Sequence, residues 1–416
     1  MNNEETLRQF YTEVLGLHPE WEAVKVWKDE AKKEVHIKVV SSLKFYQCPV
    51  CGKRAVKYDT RERRLRHLDT CDYQTILEVE VPRVKCKEHG VQQLSVSFAE
   101  KHSVYTEMFE NKAIGMLKTM TTKAVAEQLK LGWDAIDNIK QRAVERGKQR
   151  RRKVEVLDAA IDETSFQKGH DYIATVINQK DGTVLDVLPD RDAGTVRSWF
   201  KVQEAADFSK INSISMDMSN SFQKAVEDTF SNWKKLICFD RFHVSQLFNK
   251  ALDKVRRREW AVLDKEDAGN NPLKKKRFGF LKNSGRLDNR SGKRREFLAL
   301  TRMNLQTCRA WRIKENASVL WNYEYMGAAQ RNWKSLLWWI AHCRIPEMIK
   351  AGKTIKNHLW GILNAIRMKV NNAIQESTNS SIQRIKKMAC GYLNKHRFMT
   401  DVLFHFGNLD MAVAPL

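Results

Sequence analysis

Two aspartates stand where strand-like runs of the sequence end. The run 154–161 leads into Asp162 and Glu163, and the run 211–216 leads into Asp217. Carboxylates that lie close together repel each other, which raises a pKa or requires a cation. Two Mg²⁺ (or Mn²⁺) ions roughly 3.5–4 Å apart would answer the repulsion and support phosphoryl transfer. Sites of that kind need a third carboxylate, which usually comes from a later helix.

Three of the eight cysteines and one histidine indicate a second kind of metal site. Cys48 and Cys51 form a C-P-x-C-G knuckle, and Cys86 and His89 form another at the same spacing. Three thiolates and an imidazole make a closed tetrahedral set that suits one structural Zn²⁺ per chain. Strand-like runs between the knuckles predict a zinc ribbon. Cys71, between the knuckles, is an alternative to His89 as the fourth ligand.

The elements that must position the two aspartates follow the order β-β-β-α-β-α-β. Three strand-like runs are joined by short turns, and two further strands each follow a helical run. This order is the RNase H-like arrangement, in which strands one and four lie side by side. It would bring together Asp162 and Asp217, which are 55 residues apart in the sequence. The predicted strands and helices are 154–161, 172–177, 183–188, 193–201, 211–216, 222–230 and 233–239.

Between the zinc ribbon and the strands, the sequence predicts a helix-turn-helix. The stretch 106–152 is helical in pattern, and Leu131-Gly132-Trp133 supplies a turn between two short helices, with the glycine at a helix end. A basic run follows and is a candidate phosphate-binding segment, made up of Lys148, Arg150, Arg151, Arg152 and Lys153.

The composition points to nucleic acid as the partner. The chain has 416 residues and a formal net charge of +23, which favours binding to phosphates. Its length suggests two to four folded units. The sequence has no run of 18 apolar residues and no apolar segment behind the acidic start, so neither a membrane span nor a secretory signal is expected. The four remaining cysteines are expected to be buried and without a role, at Cys238, Cys308, Cys343 and Cys390.

A long stretch before residue 376 is helical in character and rich in tryptophan and basic residues. It predicts an inserted helical domain that holds DNA, with Arg256 and Arg257 among its basic residues and a flexible basic segment over 265–295. One tryptophan is a candidate for stacking on an unpaired base. Most are expected to be core residues, among Trp260, Trp311, Trp321, Trp333, Trp338 and Trp339.

Several blocks of the sequence, taken in order, resemble bacterial insertion-sequence transposases of the ISL-three family. The blocks are Asp162 to Tyr172, Ser215 to Met218, Asp240 to Val244, Ala251 to Arg257 and Glu376 to Lys387, with 389–392 after them. The zinc knuckles and the helix-turn-helix occur in the family's order, so the resemblance covers about residues 5–410. One departure is Ser377, where the family usually has glycine.

The resemblance implies a DDE transposase whose metal ligands are Asp162, Asp217 and Glu376. Glu376 lies in a predicted helix, 371–389, and Asn379 or Ser380 falls on the same helical face at its spacing. Residues of a second rank are Glu163, which points to the other side of the strand, together with Asp240, His243 and Asn379. Lys386 and Lys387 are candidate DNA contacts.

The predicted chain is therefore a multidomain α/β protein with a zinc ribbon, a helix-turn-helix, an RNase H-like core and a mainly helical insertion. The predicted domains are an amino-terminal segment 1–40, the ribbon 41–105, the helix-turn-helix and basic linker 106–153, the first part of the core 154–245, the insertion 246–365, and the catalytic helix with the end of the core 366–416.

The function predicted from the sequence is transposition of a bacterial insertion sequence. The protein would bind terminal inverted repeats as a homodimer or higher oligomer, cut the ends to 3′-OH groups and join them to target DNA. It would act in the bacterial cytoplasm on the nucleoid, with no membrane partner. Two alternatives stay open, a non-enzymatic DNA-binding regulator derived from a transposase and a structure-specific nuclease on the same fold.

Overall fold

In the computed structural model the described residues are 3–17, 19–167, 171–267, 269–287, 293–370 and 373–413. The chain divides into two units, Met1–Arg151 with Leu409–Leu416, and Arg152–Asn408. None of the helices described in either unit is long and apolar enough to cross a membrane. Residues 168–170 of the first resemblance block and the predicted start of the catalytic helix at 371 lie outside the described residues.

The amino-terminal unit opens with helix α1 (Asn3–Val14) and continues as a mixed sheet. The sheet has the order β1-β2-β5-β4-β3, and β6 pairs with β5. Strands β2 and β5 run parallel and pair Ile37 with Leu77, and both side chains are buried. The strands are β1 (Trp21–Asp29), β2 (Glu34–Ser41), β3 (Tyr46–Gln47), β4 (Arg54–Thr70), β5 (Tyr73–Cys86) and β6 (Gly90–Gln93).

This sheet changes the boundary of the predicted zinc ribbon. The ribbon's long hairpin, β4 and β5, shares a sheet and an apolar core with β1 and β2, which the sequence assigned to a separate segment. The predicted boundary at residue 40 therefore falls inside one folded element. Pairing between β2 and β5 is non-local and leaves no mark in a short window of sequence.

Three helices follow the sheet, α2 (Glu107–Leu117), α3 (Thr122–Leu129) and α4 (Trp133–Arg150). Thr121 caps α3 by accepting the backbone N–H of Ala124 at 3.3 Å. The turn between α3 and α4 uses Lys130 in the left-handed conformation, with φ 54°. Gly132 has φ −68° and is the residue before α4, so the glycine opens the second helix and does not close the first.

Residues 409–413 pack against α4. Arg146 donates to the carbonyl of Met411, and Arg150 donates to the carbonyl of Ala412 at 2.6 Å. A Cβ at Gly147 would lie 2.6 Å from Cβ of Leu409, so only glycine leaves room for the segment there. Residues 409–413 therefore complete the amino-terminal unit, although the sequence placed them with the catalytic core.

His67, on β4, gives this unit a pH-dependent stability. It is buried and hydrogen-bonded to Thr106 Oγ1 at 2.8 Å, and burial together with the Arg66 charge lowers the pKa of His67 to about 4. The unfolded chain, with a pKa near 6.5, binds the proton more readily, so stability is full above pH 6.5 and is lost as pH falls towards 4. About 2 kcal/mol should be lost between pH 7 and 5.

Urea unfolding of the zinc-loaded protein should show this loss, and the stability of His67→Gln should depend less on pH by that amount. Equal pH dependence in the two proteins would contradict the assignment.

The second unit is built on a five-stranded sheet of order β10-β9-β8-β12-β13. β8, β9 and β10 form an antiparallel meander, and β12 lies parallel to both β8 and β13. A separate parallel pair joins β7 and β11. The elements are β7 (Val154–Glu155), β8 (Asp158–Gln167), β9 (Asp171–Asn178), β10 (Val184–Leu188), α5 (Ala193–Val202), β11 (Ala206–Asp207), β12 (Ser213–Met216), α6 (Asn220–Glu227), α7 (Trp233–Leu236) and β13 (Ile237–Phe239).

The predicted strand order is confirmed, while two predicted element bounds are wrong. Asp162 lies inside β8, not at its end, because the hairpin with β9 carries the strand on to Gln167. The fifth predicted strand is only three residues long. Its first half, Trp233–Leu236, is a helical turn, because Trp233 packs edge-on against Trp360 rather than in a strand ladder.

A helical region follows the fifth strand and shares one apolar core with the sheet. Helix α13 returns to β13, where Asn364 donates to the carbonyl of Ile237 at 2.9 Å and a Cβ at Gly361 would lie 2.5 Å from the ring of Phe239. The insertion is therefore packed on the catalytic sheet, and α8 crosses its predicted boundary at 245. The helices are α8 (Arg241–Glu266), α9 (Arg277–Leu281), α10 (Lys293–Leu300), α11 (Gln306–Val319), α12 (Met326–His342) and α13 (Pro346–Arg367), with 3-10 turns at Ser284–Arg286 and Leu320–Asn322.

The predicted flexible segment 265–295 contains helical structure in its described part. Phe280 on α9 is fully buried and packs on Phe297 with ring centroids 4.9 Å apart. Lys314 donates to the carbonyl of Phe280 at 2.9 Å and so holds the end of α9. The apolar residues between the basic runs are what anchor this segment.

Two helices close the second unit, α14 (Ala373–Met388) and α15 (Lys395–Phe406). Lys386 donates to the carbonyl of Ser165 at 2.6 Å, and Gln167 donates to the carbonyl of Tyr392 at 3.2 Å. These bonds fix α14 and the following turn on the hairpin of β8 and β9.

Candidate active site and zinc centre

Three aspartates stand level with one another across the central strands of the second unit. Ser215 pairs with Ala160 of β8 and with Cys238 of β13. The residues two positions after these three, Asp162, Asp217 and Asp240, therefore lie side by side in one row. Neighbouring strands lie about 4.8 Å apart, so the row brings the carboxyl groups into mutual range.

Asp162 is the most enclosed of the predicted metal ligands. The residue is 9 % exposed, and its Oδ1 accepts the backbone N–H of Glu163 at 2.8 Å. Burial raises the pKa of Asp162, and the Asp240 charge adds to that effect, while His243 opposes it. Hydrogen-bond donors or a bound cation beside such a carboxylate favour its charged form.

Asp217 is in a similar position on the next strand. Its Oδ1 accepts the backbone N–H of Ser219 at 2.9 Å. Burial is the largest cause that raises the pKa of Asp217, and the charges of Glu163 and Asp162 raise it further. The mutual repulsion that the sequence predicted is therefore present, and it favours a bound cation.

Asp240 and His243 join the row through the start of α8. Asp240 is 4 % exposed and caps the helix by accepting the N–H of Phe242 at 2.7 Å. His243 Nε2 lies 3.8 Å from Asp162 Oδ1 and 3.9 Å from Asp240 Oδ2. The histidine is thus placed between two aspartates at the start of α8.

Glu163, predicted to face away from Asp162, is held by Arg191. Arg191 Nη1 contacts Glu163 Oε2, and its guanidinium stacks over the ring of Tyr172 at 4.3 Å. The hydrogen bond with Glu163 raises the pKa of Arg191 and the Asp217 charge adds to this, so the arginine lies within electrostatic range of the row. Sequence reasoning missed Arg191, because a single arginine in a loop carries no pattern.

Helix α14 presents amides to Asp162. Asn379 Nδ2 donates to Asp162 Oδ2, and Gln375, 2 % exposed, contributes a hydrogen bond to the same carboxyl group. Glu376 is exposed, and within the described residues no hydrogen bond or ion pair joins it to Asp162 or Asp217. The structure thus brings together two of the three predicted carboxylates and places the third on the adjoining face of α14. Gln375 has no sequence signal beyond its place four residues before Asn379.

The donor set around the row suits a hard divalent cation. Mg²⁺ and Mn²⁺ take carboxylate and amide oxygens. Buried oxygens Gln375 Oε1 and Asn379 Oδ1 have no hydrogen-bond partner among the described residues. Acidic and amide groups of this kind fit the predicted metal.

The four predicted zinc ligands converge in the amino-terminal unit. The ligand atoms of Cys48, Cys51, Cys86 and His89 all lie within 4.8 Å of one another. Sγ of Cys51 and Sγ of Cys86 are 3.8 Å apart, and Sγ of Cys86 lies 3.6 Å from Nδ1 of His89. Tetrahedral bonds of about 2.3 Å to sulfur and 2.05 Å to nitrogen require edges of about 3.8 and 3.6 Å. The set therefore fits Zn²⁺ with no open position.

Backbone geometry prepares these ligands. Cys48 accepts the N–H of Gly52 at 2.8 Å, and Gly52 has φ 72°, which closes the first knuckle. Backbone N–H groups of His89 and Glu88 lower the pKa of Cys86 to about 6, which favours the thiolate that zinc needs. Cys71 is exposed at the turn between β4 and β5 and is outside the cluster.

Several predicted DNA contacts are engaged within the protein. Arg150 binds the carbonyls of 412 and 413, Arg256 binds Asp253 at 2.9 Å, and Lys386 binds Ser165. The structure argues against these three as primary phosphate contacts. Those that keep exposed side chains are Lys148, Arg152, Lys153, Arg257 and Lys387, and Arg151 is half-buried.

The other predicted cysteines and the tryptophans are mostly core residues. Cys238, Cys308 and Cys343 are buried as expected, whereas Cys390 is exposed at the end of α14. Trp333 is fully buried and Trp311 is 7 % exposed, while Trp338 is 67 % exposed. Three more are partly buried against the same core, Trp260, Trp321 and Trp339.

A meander extended by two parallel strands, with a row of aspartates across its centre, defines an RNase H-like enzyme of phosphoryl transfer. Comparisons with known proteins agree. A family model described as "Transposase", of the ISL3 type, matches residues 159–402. Residues 45–89 match the zinc-finger of transposase IS204/IS1001/IS1096/IS1165, and residues 94–144 match the helix-turn-helix domain of transposase family ISL3.

Curated relatives extend over most of the chain. It is 27 % identical to the transposase for insertion sequence element IS1557 of Mycobacterium tuberculosis, over 83 % of this chain and 82 % of that protein. It is 25 % identical to the transposase for insertion sequence element IS1001 of Bordetella parapertussis, over 90 % of this chain and 92 % of that protein.

The chain belongs to the ISL3 (ISL-three) family, and it is an insertion-sequence transposase of the DDE type. The predicted family, fold class and enzyme class are therefore confirmed. Membership implies a catalytic domain that uses divalent metal ions, a zinc-binding ribbon and a DNA-binding helix-turn-helix.

Proposed function

We propose that the protein cuts DNA at the two ends of its insertion sequence and joins the resulting 3′-OH groups to target DNA. The observation that carries this proposal is the row of Asp162, Asp217 and Asp240 across three parallel strands, with a raised pKa for the first two. Buried carboxylates at one level of a sheet are suited to holding cations on a phosphodiester.

Asp162 and Asp217 are the proposed ligands shared by two Mg²⁺ or Mn²⁺ ions, and Glu376 is the third ligand. When bound, the metal ions activate the attacking hydroxyl and stabilise the leaving 3′ oxygen. Glu376 lies in the first turn of α14, one residue beyond Gln375, which already contacts Asp162. A change in the conformation of the Glu376 side chain, with the backbone of α14 in place, would turn its carboxylate towards the row.

His243 and Arg191 are proposed to interact with the phosphates of the DNA substrate. His243 lies between Asp162 and Asp240 and is 23 % exposed, so one edge of its ring is open to a substrate phosphate. Arg191 keeps Glu163 neutralised near Asp217. Both side chains hold cationic or donor groups at the position where phosphate charge would arrive.

The amino-terminal unit is the proposed reader of the terminal inverted repeats. Its ribbon and helix-turn-helix match the zinc-finger and helix-turn-helix models of the family, and both kinds of module are suited to binding DNA. The exposed basic residues on the linker, Lys148, Arg152 and Lys153, would contact phosphates. Zn²⁺ holds the ribbon folded and takes no part in the chemistry. Because two ends join one target, the active form is proposed to be a homodimer or higher oligomer on chromosomal DNA.

Trp338 is the proposed stacking residue of the helical region. It is 67 % exposed on α12, next to the exposed Lys334 and Arg331, and its ring lies 4.4 Å from that of His342. No acidic residue occurs in α12.

Trp338→Ala should weaken binding to end DNA that carries an unpaired base by about 5- to 150-fold, the effect of one stacked base. Trp338→Phe should restore most of the affinity. Binding measured on bubble and fully paired duplexes of the same sequence checks this. An equal loss on both substrates, or no rescue by phenylalanine, would contradict stacking.

Cleavage of a plasmid that carries the element with its native flanks tests the proposed function. The proposal expects nicks at both inverted repeats in Mg²⁺ and none in EDTA. Specific binding without cleavage in Mg²⁺ or Mn²⁺ would favour the regulator. Cleavage without joining would favour the nuclease.

A further inference from the structure

Two buried amide oxygens next to Asp162 have no hydrogen-bond partner in the described part of the chain. They are Gln375 Oε1 and Asn379 Oδ1, both on α14, and neither accepts a hydrogen bond from any described residue. Gln375 is 2 % exposed, so water does not replace the missing donor. An amide oxygen buried without a partner costs about 1–3 kcal/mol, and two in one place call for an explanation.

The nitrogen of the Asn379 amide is engaged, and the Gln375 side chain acts on the same carboxyl group. Asn379 Nδ2 donates to Asp162 Oδ2, and a hydrogen bond from Gln375 lowers the pKa of Asp162 against the effect of burial. These donors stabilise the buried carboxylate in the absence of a cation. They also direct both orphaned oxygens to the surroundings of the same carboxyl group.

Other contacts hold α14 in place without the amides. Lys386 donates to Ser165 at 2.6 Å, and Thr378 Oγ1 donates to the carbonyl of Gly182 at 3.4 Å. Ile382 is fully buried on the same side of the helix. The amide groups can therefore turn about their terminal bonds while the helix backbone stays where it is.

We propose that Gln375 and Asn379 are oxygen ligands of the catalytic cation, reached by rotation of their amide groups. The inference rests on the proposed function, because it places that cation at Asp162. Rotation by about 180° exchanges the oxygen and the nitrogen of each amide. The N–H groups that hold Asp162 without a cation then give way to carbonyl oxygens that share the cation with it.

The geometry of hard-cation sites agrees with this exchange. Neighbouring ligand oxygens around an octahedral Mg²⁺ with bonds of about 2.1 Å are about 3 Å apart. Hydrogen-bonded nitrogen and oxygen atoms have nearly the same separation. An amide within hydrogen-bonding contact of Asp162 therefore needs no backbone shift to become its fellow ligand, directly or through a cation-bound water.

A role as simple hydrogen-bond donors predicts the opposite sign. If the amides only held Asp162, they would compete with the cation for its oxygen lone pairs. Their removal would then leave cation affinity unchanged or make it tighter. If they are ligands, their removal makes cation affinity weaker.

Mn²⁺ titration of the full-length, zinc-loaded protein, read by the paramagnetic resonance signal of free Mn²⁺, separates the two roles without an activity measurement. Asn379→Leu and Gln375→Met keep volume and lose the oxygen. Each should weaken Mn²⁺ binding by about tenfold or more.

Asn379→Asp keeps an oxygen but cannot donate a hydrogen bond. This variant should bind Mn²⁺ at least as tightly as the wild type, with a lower Tm in the absence of Mn²⁺. Ser380→Ala, on the exposed side of α14, is the matched control and should not change binding.

Asp162→Asn identifies the site in this titration. If Asp162→Asn loses the Mn²⁺ site while Asn379→Leu and Gln375→Met bind as tightly as the wild type or more tightly, the amide ligands are wrong and the proposed function stands. If Asp162→Asn keeps the site, the proposed catalytic centre itself is wrong. Should Asn379→Leu fail to fold, the result for Asn379→Asp decides, since binding weaker than that of the wild type contradicts an oxygen ligand there.

Discussion

Asp217→Asn should reduce metal-dependent DNA cleavage by at least about 10³-fold, with little change in binding to the transposon ends. Asparagine keeps the shape of the side chain but removes the charge that holds a cation, and a ligand acting as part of a set is lost with nearly the full effect of the set. Asp217 lies after β12 in the second unit, whereas the ribbon and the helix-turn-helix belong to the first. End binding is therefore expected to survive.

Single-turnover cleavage of a labelled end, with binding measured on the same DNA, checks this prediction. Asp228→Asn is the matched control, because Asp228 is paired with Arg197 at 3.0 Å on the helical side of the unit. The control should cleave within about threefold of the wild type. More than a tenth of wild-type cleavage left in Asp217→Asn would mean that this carboxylate does not hold the reacting metal.

Cys48→Ser should remove the bound zinc and unfold the ribbon. Structural zinc in small domains contributes about 10–16 kcal/mol of apparent binding free energy, which is folding free energy for the segment that holds it. Cys48 is 1 % exposed, and its cluster also packs Ala55 and Val84, so the loss should spread along β4 and β5. Recognition of the ends should fail with it.

Metal analysis by plasma mass spectrometry should find about one zinc per wild-type chain and none in Cys48→Ser. Hydrogen exchange should show lost protection in β4, β5 and β6. Cys71→Ser is the control, since Cys71 is exposed and outside the cluster, and it should keep its zinc. Zinc retained by Cys48→Ser would refute the ligand set.

The sequence alone was sufficient to predict those parts of the two sites that follow from a regular pattern, namely the order of the strands and the spacing of the zinc ligands. The order of strands and helices, β-β-β-α-β-α-β, was enough to predict that the first and fourth strands, β8 and β12, are neighbours, and the pairing of Ser215 with Ala160 agrees. Two C-x-x-C-like knuckles were enough for the zinc set, because the spacing itself imposes the geometry. The helix-turn-helix could be predicted because helical periodicity and a glycine-containing turn are also local patterns.

Features that depend on distant parts of the chain could not be predicted. Arg150 looked like a DNA contact in a basic run, yet it binds carbonyls at 412 and 413, some 260 residues away. The orientation of α14 decides whether Gln375 or Glu376 faces Asp162, and that depends on its anchoring by Lys386 at Ser165. Helical periodicity alone does not distinguish two neighbouring residues of one turn.

The most direct test of the account is to sequence, at nucleotide resolution, the products made on a plasmid that carries the element with its native flanks. The proposed function predicts Mg²⁺-dependent 3′-OH ends at both inverted repeats, followed by joined DNA. It also predicts that Asp162→Asn and Asp217→Asn give neither product. Joined products from either variant, or wild-type ends formed equally well in EDTA, would contradict a metal-dependent reaction at the row of aspartates.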